Sequence, residues 1–408
     1  MIPNDSAQSP QRLQRVLTLP LVTLYGLGVT VGAGIYVLVG ATAATAGPYA
    51  PISFLIAAFV VAFTAFSYAE LSTRYPVSAG EAAYVEAGFK TAWLTTLVGL
   101  AVAASGMVSA AAVAIGAASY LQDLILLPQN ILTLAVVAIM GLIALWGITQ
   151  SVAVAAIITV IEISGLILVI FWGLYMAEPL GVTPSQMVPP IAGPHWVGIG
   201  AASLLAFFAF VGFEDMANIA EEVKDPVHTM PKAIVLTLVL ATILYFGTTT
   251  VVLMTVPIKD LSTSAAPLAL VFADAPERVK QAFSLVAIVA TINGVLIQMI
   301  MASRVLYGLA DRGHLPAIFA KVSRRTKTPM VATNTVVLCI ILLAWFLPIH
   351  ALAERTSQIV LIIFVLVNVS LIRLKLSDAE AEMFFRVPLI VPILGVMTSI
   401  LLFATAFI

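Results

Sequence analysis

The chain has 408 residues, of which 61% are apolar and only 10% charged, and its net charge is −1. An ordinary soluble domain carries about 25% charged residues, so this composition argues against a soluble enzyme or a nucleic-acid-binding domain and describes an all-α polytopic membrane protein. Its one cysteine, Cys339, falls inside an apolar run, which leaves no disulfide framework and no cysteine metal site.

A segment of about 20 apolar residues fills a bilayer core about 30 Å thick. Eleven such spans are predicted, at 20–46, 50–72, 91–120, 130–148, 152–176, 196–220, 232–256, 279–310, 330–349, 354–374 and 387–408. Residues 1–19 form a polar tail with an arginine pair, Arg12 and Arg15. An arginine pair, an apolar run and ATAATA have the outline of a signal peptide, but the run is too long and too broken by glycine, and ten more spans follow. It reads as the first span.

That span contains YGLGVTVGAGIYVLVG, from Tyr25 to Gly40, with Gly26, Gly28, Gly32, Gly34 and Gly40. Glycine inside a helix costs roughly 1 kcal/mol against alanine, so something local must offset the run. Either the glycines admit a neighbouring helix or they mark an intended break, at Val31, Gly32, Ala33 and Gly34. Gly26, Gly28 and Gly40 suit packing under both readings. In the third span Ala101, Ser105 and Ser109 recur every four residues, the stripe of small residues that lets membrane helices approach closely.

Glu162 lies near the middle of the fifth span, in ITVIEISGLILVI. An ionised carboxylate is costly at that depth, which makes it a candidate for proton or cation coupling; the competing reading is a neutral acid hydrogen-bonded to a neighbouring helix. The sixth span is broken too, since Gly212 precedes Glu214 and Asp215. Those acids either respond to protons or cap the half-helix that begins there. In the eighth span Asn293 is a candidate for binding substrate or cation, or for hydrogen bonding between helices. The four histidines fall in loops or at span ends.

Two orientation arguments follow. With the N-terminus cytoplasmic, every lysine and arginine except Lys259, Arg278, Lys280 and Arg355 falls on the cytoplasmic side, as the positive-inside rule requires. The broken first and sixth spans are five apart, and because five is odd the two halves enter the membrane from opposite sides. The segments 20–176 and 177–375 are therefore predicted to be five-span inverted repeats, followed by a loop and an additional span in 376–408. Paired broken spans in two such halves point to a secondary transporter's binding site. N–H groups freed at Val31 to Gly34 suit a carboxylate, and carbonyls freed at Phe208, Ala209, Phe210 and Val211 suit an ammonium. One break for each pole describes an amino acid.

The runs GAGIY (Gly32 to Tyr36), AGP (Ala46 to Pro48), SYAELS (Ser67 to Ser72) and PVSAGEAAYV (Pro76 to Val85) resemble the amino acid-polyamine-organocation superfamily. So do FFAFVGFED (Phe207 to Asp215), VKDP (Val223 to Pro226), MP (Met230 and Pro231), ASRVLYGLADRGHLP (Ala302 to Pro316) and TP (Thr328 and Pro329). The likeness covers about 300 residues and is closest to bacterial amino acid permeases and cationic amino acid transporter relatives. The resemblance implies a LeuT-type fold that alternates between outward-open and inward-open states. It implies that Gly32, Ala33 and Gly34 give N–H groups to the substrate carboxylate and that Thr30 contributes the carbonyl before the break. Phe208, Ala209 and Val211 would take the amino group, and the Phe208 ring would close over the substrate from outside.

In the superfamily the third span also lines the pocket, and some cationic transporters carry an acid near Ser105; its absence here favours a neutral substrate. Many relatives have twelve spans where this sequence shows eleven, and some proton-coupled ones carry a lysine where Glu162 stands. The expected function is secondary active transport of amino acids in a plasma or inner membrane, with protons as the candidate coupling ion and with exchange without ion coupling as the alternative. A channel or a polytopic membrane enzyme fits less well, because no reactive pair and no histidine sits inside a span. No cofactor, metal or nucleic acid is called for. A bulky residue at Gly34 is expected to abolish binding without disturbing membrane insertion.

Overall fold

The computed structural model describes residues 15, 17–77, 80–122, 125–146, 152–191, 193–323, 328–377 and 384–407. Most of the tail, including Arg12, and the basic run Arg324, Arg325 and Lys327 lie outside the described residues. The described residues form helices and no strand. In chain order these are α1 (Leu19–Val31), α2 (Ala33–Ala46), α3 (Ala50–Arg74), α4 (Gly80–Phe89), α5 (Ala92–Gln122), α6 (Gln129–Trp146) and α7 (Val152–Tyr175). Then come α8 (His195–Phe208), α9 (Pro226–Thr255), α10 (Ile258–Thr263), α11 (Glu277–Asp311), α12 (Met330–Phe346), α13 (Ile349–Ser377) and α14 (Ile390–Ala404).

Eight helical stretches among the described residues are long and apolar enough to cross a membrane, and three shorter apolar helices, Leu19–Val31, Gln129–Leu145 and Met330–Phe346, accompany them. The predicted segments divide differently from the observed helices for local reasons. Gly32 ends α1 after 13 residues. The second half of the first predicted span continues through a short 3-10 turn at Gly47–Tyr49 into α3, so that Gly34–Arg74 is one helical stretch of 41 residues. Pro48 and Pro51 sit in the first turns of the 3-10 turn and of α3, where a missing N–H does no harm.

The buried faces explain the arrangement. The broken elements pack on one another, α2 along α8, and α1 lies against α7 and α9. The long helix α5 packs along α11 and α13, and α3 packs along α9. Several glycines are spent on this closeness. A Cβ at Gly28 would sit on Thr159 Oγ1 of α7, and one at Gly40 would lie 2.5 Å from the Leu261 carbonyl oxygen of α10. Packing is therefore a real use of the glycine run, as the sequence allowed for these positions.

One ionic knot ties the helix ends together. Glu70, fully buried in α3, lies 2.8 Å from the Arg74 guanidinium and 2.6 Å from Lys375 Nζ at the end of α13. Its Oε2 also accepts the Val387 N–H at 2.8 Å, and Lys375 donates to the Val387 carbonyl at 2.7 Å, so the segment entering α14 is pinned to the same point. Removing one member of a buried ion pair costs about 3–5 kcal/mol, because the partner charge is left without compensation. Glu70→Ala is expected to lower the melting temperature of detergent-purified protein sharply. Glu70→Ala with Lys375→Met should recover part of the loss, and equal melting of wild type and Glu70→Ala would contradict the assignment.

Candidate functional site

The two breaks face each other. α1 ends at Val31 and α2 starts at Ala33, with Gly32 between them at φ −42° and ψ −137°, outside helical geometry. The first N–H groups of α2 therefore have no carbonyl one turn back. In the sixth span, α8 stops at Phe208 and the chain turns through Ala209 to Gly212. Gly212 has φ +122°, a conformation that residues with a Cβ rarely adopt. From Phe213 to Glu222 the chain runs as a 3-10 segment rather than the α half-helix that a capped restart would suggest.

The gap between the breaks is tight. A Cβ on Gly34 would lie 2.5 Å from Ala209 Cα, and one on Gly212 would lie 2.8 Å from the Val29 carbonyl oxygen. Gly34 therefore lies in the first turn after the first break and also admits the backbone of the second. A bulky residue there would push the two breaks apart, so its effect on binding goes through their packing as well as through any ligand.

Tyr245 of α9, fully buried, spans the two breaks. Its hydroxyl lies 2.6 Å from the Thr30 carbonyl oxygen and 2.7 Å from that of Ala209. One hydroxyl proton serves one acceptor at a time, so the two carbonyls compete for it. Phe210 meets the Tyr245 ring edge to face at 5.0 Å. The Phe208 carbonyl accepts the Val211 N–H at 3.2 Å, and the Phe208 side chain is buried in a cluster that includes Leu38, Val113, Leu296 and Leu352.

The remaining site residues fall into two places. Ser105 joins Val211, Glu214 and Asp215 around a cavity of about 10 Å3, room for roughly one water molecule. Gln298 of α11 and Glu81 of α4 line it too. Glu214 Oε2 accepts the Gly212 N–H at 2.9 Å, which is a cap on the start of the 3-10 segment. Glu162 and Asn293 sit elsewhere, on α7 and α11. Asn293 Nδ2 donates to Glu162 Oε1 at 3.3 Å, while Glu162 Oε2 is buried without a hydrogen-bond partner among the described residues. Tyr36 of α2 donates to the Glu162 backbone carbonyl at 2.6 Å, and Tyr120 donates to the Tyr36 carbonyl at 2.6 Å. The carboxylate thus sits beside the first break rather than between the two.

Tyr245, Glu81 and Gln298 were not singled out by the sequence. Tyr245 is a polar aromatic within the apolar run ATILYFG, and an intramembrane hydroxyl of this kind is a signal. Glu81 lies in the quoted PVSAGEAAYV run.

Helix α4 is a ten-residue connector between two spans. Burial pushes the Glu81 carboxyl up to about 7, against the smaller opposing effect of its hydrogen bonds, including one from the Tyr68 hydroxyl at 3.3 Å. A raised carboxylate pKa favours the docked state in full below the unfolded value, near 4.5, and that contribution is lost as pH climbs through about 7. Hydrogen exchange across residues 80–89, corrected for intrinsic rates, is expected to quicken from pH 5 to pH 8. Glu81→Gln should flatten the dependence, and an identical pH response in both proteins would contradict the sign.

A family model described as amino acid permease matches residues 17–408. The chain is 32% identical over 393 residues to a "Cationic amino acid transporter 2, vacuolar" of Arabidopsis thaliana, a match covering 91% of this chain and 61% of that protein. It thus spans less than two thirds of that relative's length. A "Branched-chain amino acid permease BcaP" of Bacillus subtilis (strain 168) is 29% identical over 384 residues, covering 90% of this chain and 82% of the relative. A "Methylthioribose transporter" of the same organism is 30% identical over 420 residues, covering 96% and 88%.

Proposed function

Because the chain belongs to the amino acid permease family, whose matched members are transporters and not enzymes, we propose that it is a secondary transporter carrying amino acids across a membrane by alternating access. The observation that carries this reading is the apposition of the two breaks, Gly34 against Ala209 and Gly212 against Val29, bridged by Tyr245. Free N–H groups at Gly32 to Gly34 and carbonyls from Thr30 and from Phe208 to Val211 offer opposite poles at one place, which is what an α-amino acid presents. We read the architecture as a LeuT-type pair of five-span inverted repeats with one further span, eleven in all, with the N-terminus cytoplasmic. The packing of α2 on α8 and of α3 on α9 supports the pairing of the repeats.

In the transport cycle Tyr245 has the role of a strut. Its proton passes between the Thr30 and Ala209 carbonyls, and a substrate ammonium would bring donors of its own to the same region. Glu162, with one oxygen held by Asn293 and the other unpartnered, is the proposed proton-coupling group. Exchange without ion coupling is the alternative, and the transport behaviour of a Glu162→Gln variant separates the two. The relatives' names cover cationic and branched-chain amino acids and methylthioribose, so the substrate needs direct test. Thermal shift of the purified protein against the standard amino acids and simple amines provides it. A ligand at a hundredfold excess over its Kd stabilises the folded state by about 2.7 kcal/mol. At least one amino acid is expected to raise the melting temperature, and loss of that shift on esterifying its carboxyl would match the pole assignment. Stabilisation by amines alone would overturn it.

A further inference from the structure

The loop that follows α11, residues 312–323, plays no part in the paired breaks. It is built on two pairs of apolar side chains four residues apart. Leu315 and Phe319 turn inward and pack against the buried cluster to which α5, α11 and α12 contribute. Ile318 and Val322 turn outward and are 49% and 45% exposed. Backbone bonds three residues apart hold this alternation: the Phe319 N–H donates to the Pro316 carbonyl at 3.1 Å and the Ala320 N–H to that of Ala317 at 3.2 Å. Two large apolar side chains are thus held out of the core by the same turn that buries their neighbours.

The loop is tied to the ends of two other helices. Thr96 Oγ1 of α5 and His314 Nδ1 lie 2.7 Å apart, and the Thr328 hydroxyl, just beyond the loop, donates to the Leu145 carbonyl of α6 at 3.1 Å. Trp93, one turn before Thr96 at the start of α5, is 67% exposed, and tryptophan concentrates where a bilayer meets water. These ties put the loop at headgroup depth. Between Arg304 and Met330 the sequence holds six lysine or arginine residues and one acid, Asp311. Arg324, Arg325 and Lys327 lie outside the described residues; Arg312 and Lys321, both exposed, flank Ile318 in the loop itself. The positive-inside bias asks only for cations on this side. Exposed isoleucine and valine set among those cations are what an interfacial segment presents, apolar groups for the acyl boundary and charge for phosphate.

We propose that this loop is a docking surface for the anionic phospholipids of the cytoplasmic leaflet, with Ile318 and Val322 entering the acyl boundary and Arg312 and Lys321 holding lipid phosphates. The leaflet follows from the orientation proposed above, and the surface itself does not depend on what the chain carries. The guanidinium of Arg312 suits a phosphate because it can donate two parallel hydrogen bonds to it, and Lys321 adds a point charge on a flexible stem. Lipid held there fastens the connection between α11 and α12 to the bilayer.

The test uses the full chain with phosphatidylglycerol or phosphatidylcholine. Native mass spectrometry reads how tightly each lipid is retained, and hydrogen exchange in nanodiscs of each lipid reads where it acts. A cation beside an anionic lipid surface strengthens binding by about fivefold, so Arg312 and Lys321 together are expected to favour phosphatidylglycerol by roughly 25-fold. Exchange across residues 312–323 should be slower in phosphatidylglycerol than in phosphatidylcholine. Arg312→Gln with Lys321→Gln should remove most of the preference and the slowing, whereas Ile318→Ser with Val322→Ser should weaken both lipids alike. All four side chains are exposed, and the wild-type comparison needs no variant. Equal exchange of the loop in the two lipids overturns the proposal. So does a preference that survives unchanged in Arg312→Gln with Lys321→Gln. Inorganic phosphate that slows the loop equally in phosphatidylcholine nanodiscs would replace the lipid surface with a site for free anions.

Discussion

Gly212→Ala is expected to abolish amino acid uptake and to destabilise the protein. At φ +122° an added Cβ strains the backbone by about 1–3 kcal/mol. The same atom would lie 2.7 Å from Val29 Cγ1 and 2.8 Å from the Val29 carbonyl oxygen, and forcing extra atoms into a packed contact costs about 1–3 kcal/mol more. Neither cost can be relieved without moving the two breaks apart, which separates the Thr30 and Ala209 carbonyls from Tyr245. Gly308→Ala is the matched control: Gly308 lies within α11 with nothing within 4 Å of its would-be Cβ, so alanine there should be neutral or stabilising by up to about 1 kcal/mol. Uptake in proteoliposomes and melting in detergent are the measurements. Near wild-type uptake in Gly212→Ala would mean that the second break does not need its geometry.

The second large effect is on coupling. Glu162→Gln retains an oxygen for the Asn293 amide and replaces an acid that can release a proton with one permanently neutral group. If Glu162 carries the coupled proton, the variant should exchange substrate at nearly the wild-type rate and lose the dependence of net uptake on a pH gradient. Proteoliposome uptake at equal and unequal pH, with and without sodium, separates the cases. Accumulation driven by the gradient that persists undiminished in Glu162→Gln would remove Glu162 from the mechanism. A sodium requirement in wild type would reassign the same carboxylate to a metal ion.

What the sequence made legible and what it hid have a common physical cause. Gly32 and Gly212 were readable because each violates a local rule, glycine where a helix should continue and charge where the bilayer should exclude it. Glu162 and Asp215 were readable for the second of these reasons. Tyr245 was not, because its meaning lies in two carbonyls distant in sequence, at Thr30 and Ala209, and nothing in ATILYFG reports them. Glu81 and Gln298 meet only because α4, the 3-10 segment and α11 converge on one cavity. The glycine run posed a choice between packing and breaking that local sequence could not decide. Gly34 serves both, since its closest neighbour is the backbone of the other break. The 3-10 form of Phe213–Glu222 was likewise hidden, as propensity does not distinguish it from an α-helical restart.

Counterflow tests the central claim most directly, because a carrier that alternates between two faces exchanges substrate without net flux. Proteoliposomes are loaded with an excess of the unlabelled standard amino acids and given each labelled amino acid outside in turn. The account predicts that at least one label rises transiently above its equilibrium level and then falls back, and that Gly212→Ala abolishes the overshoot. Labels that only equilibrate, or that do not enter at all, would contradict it.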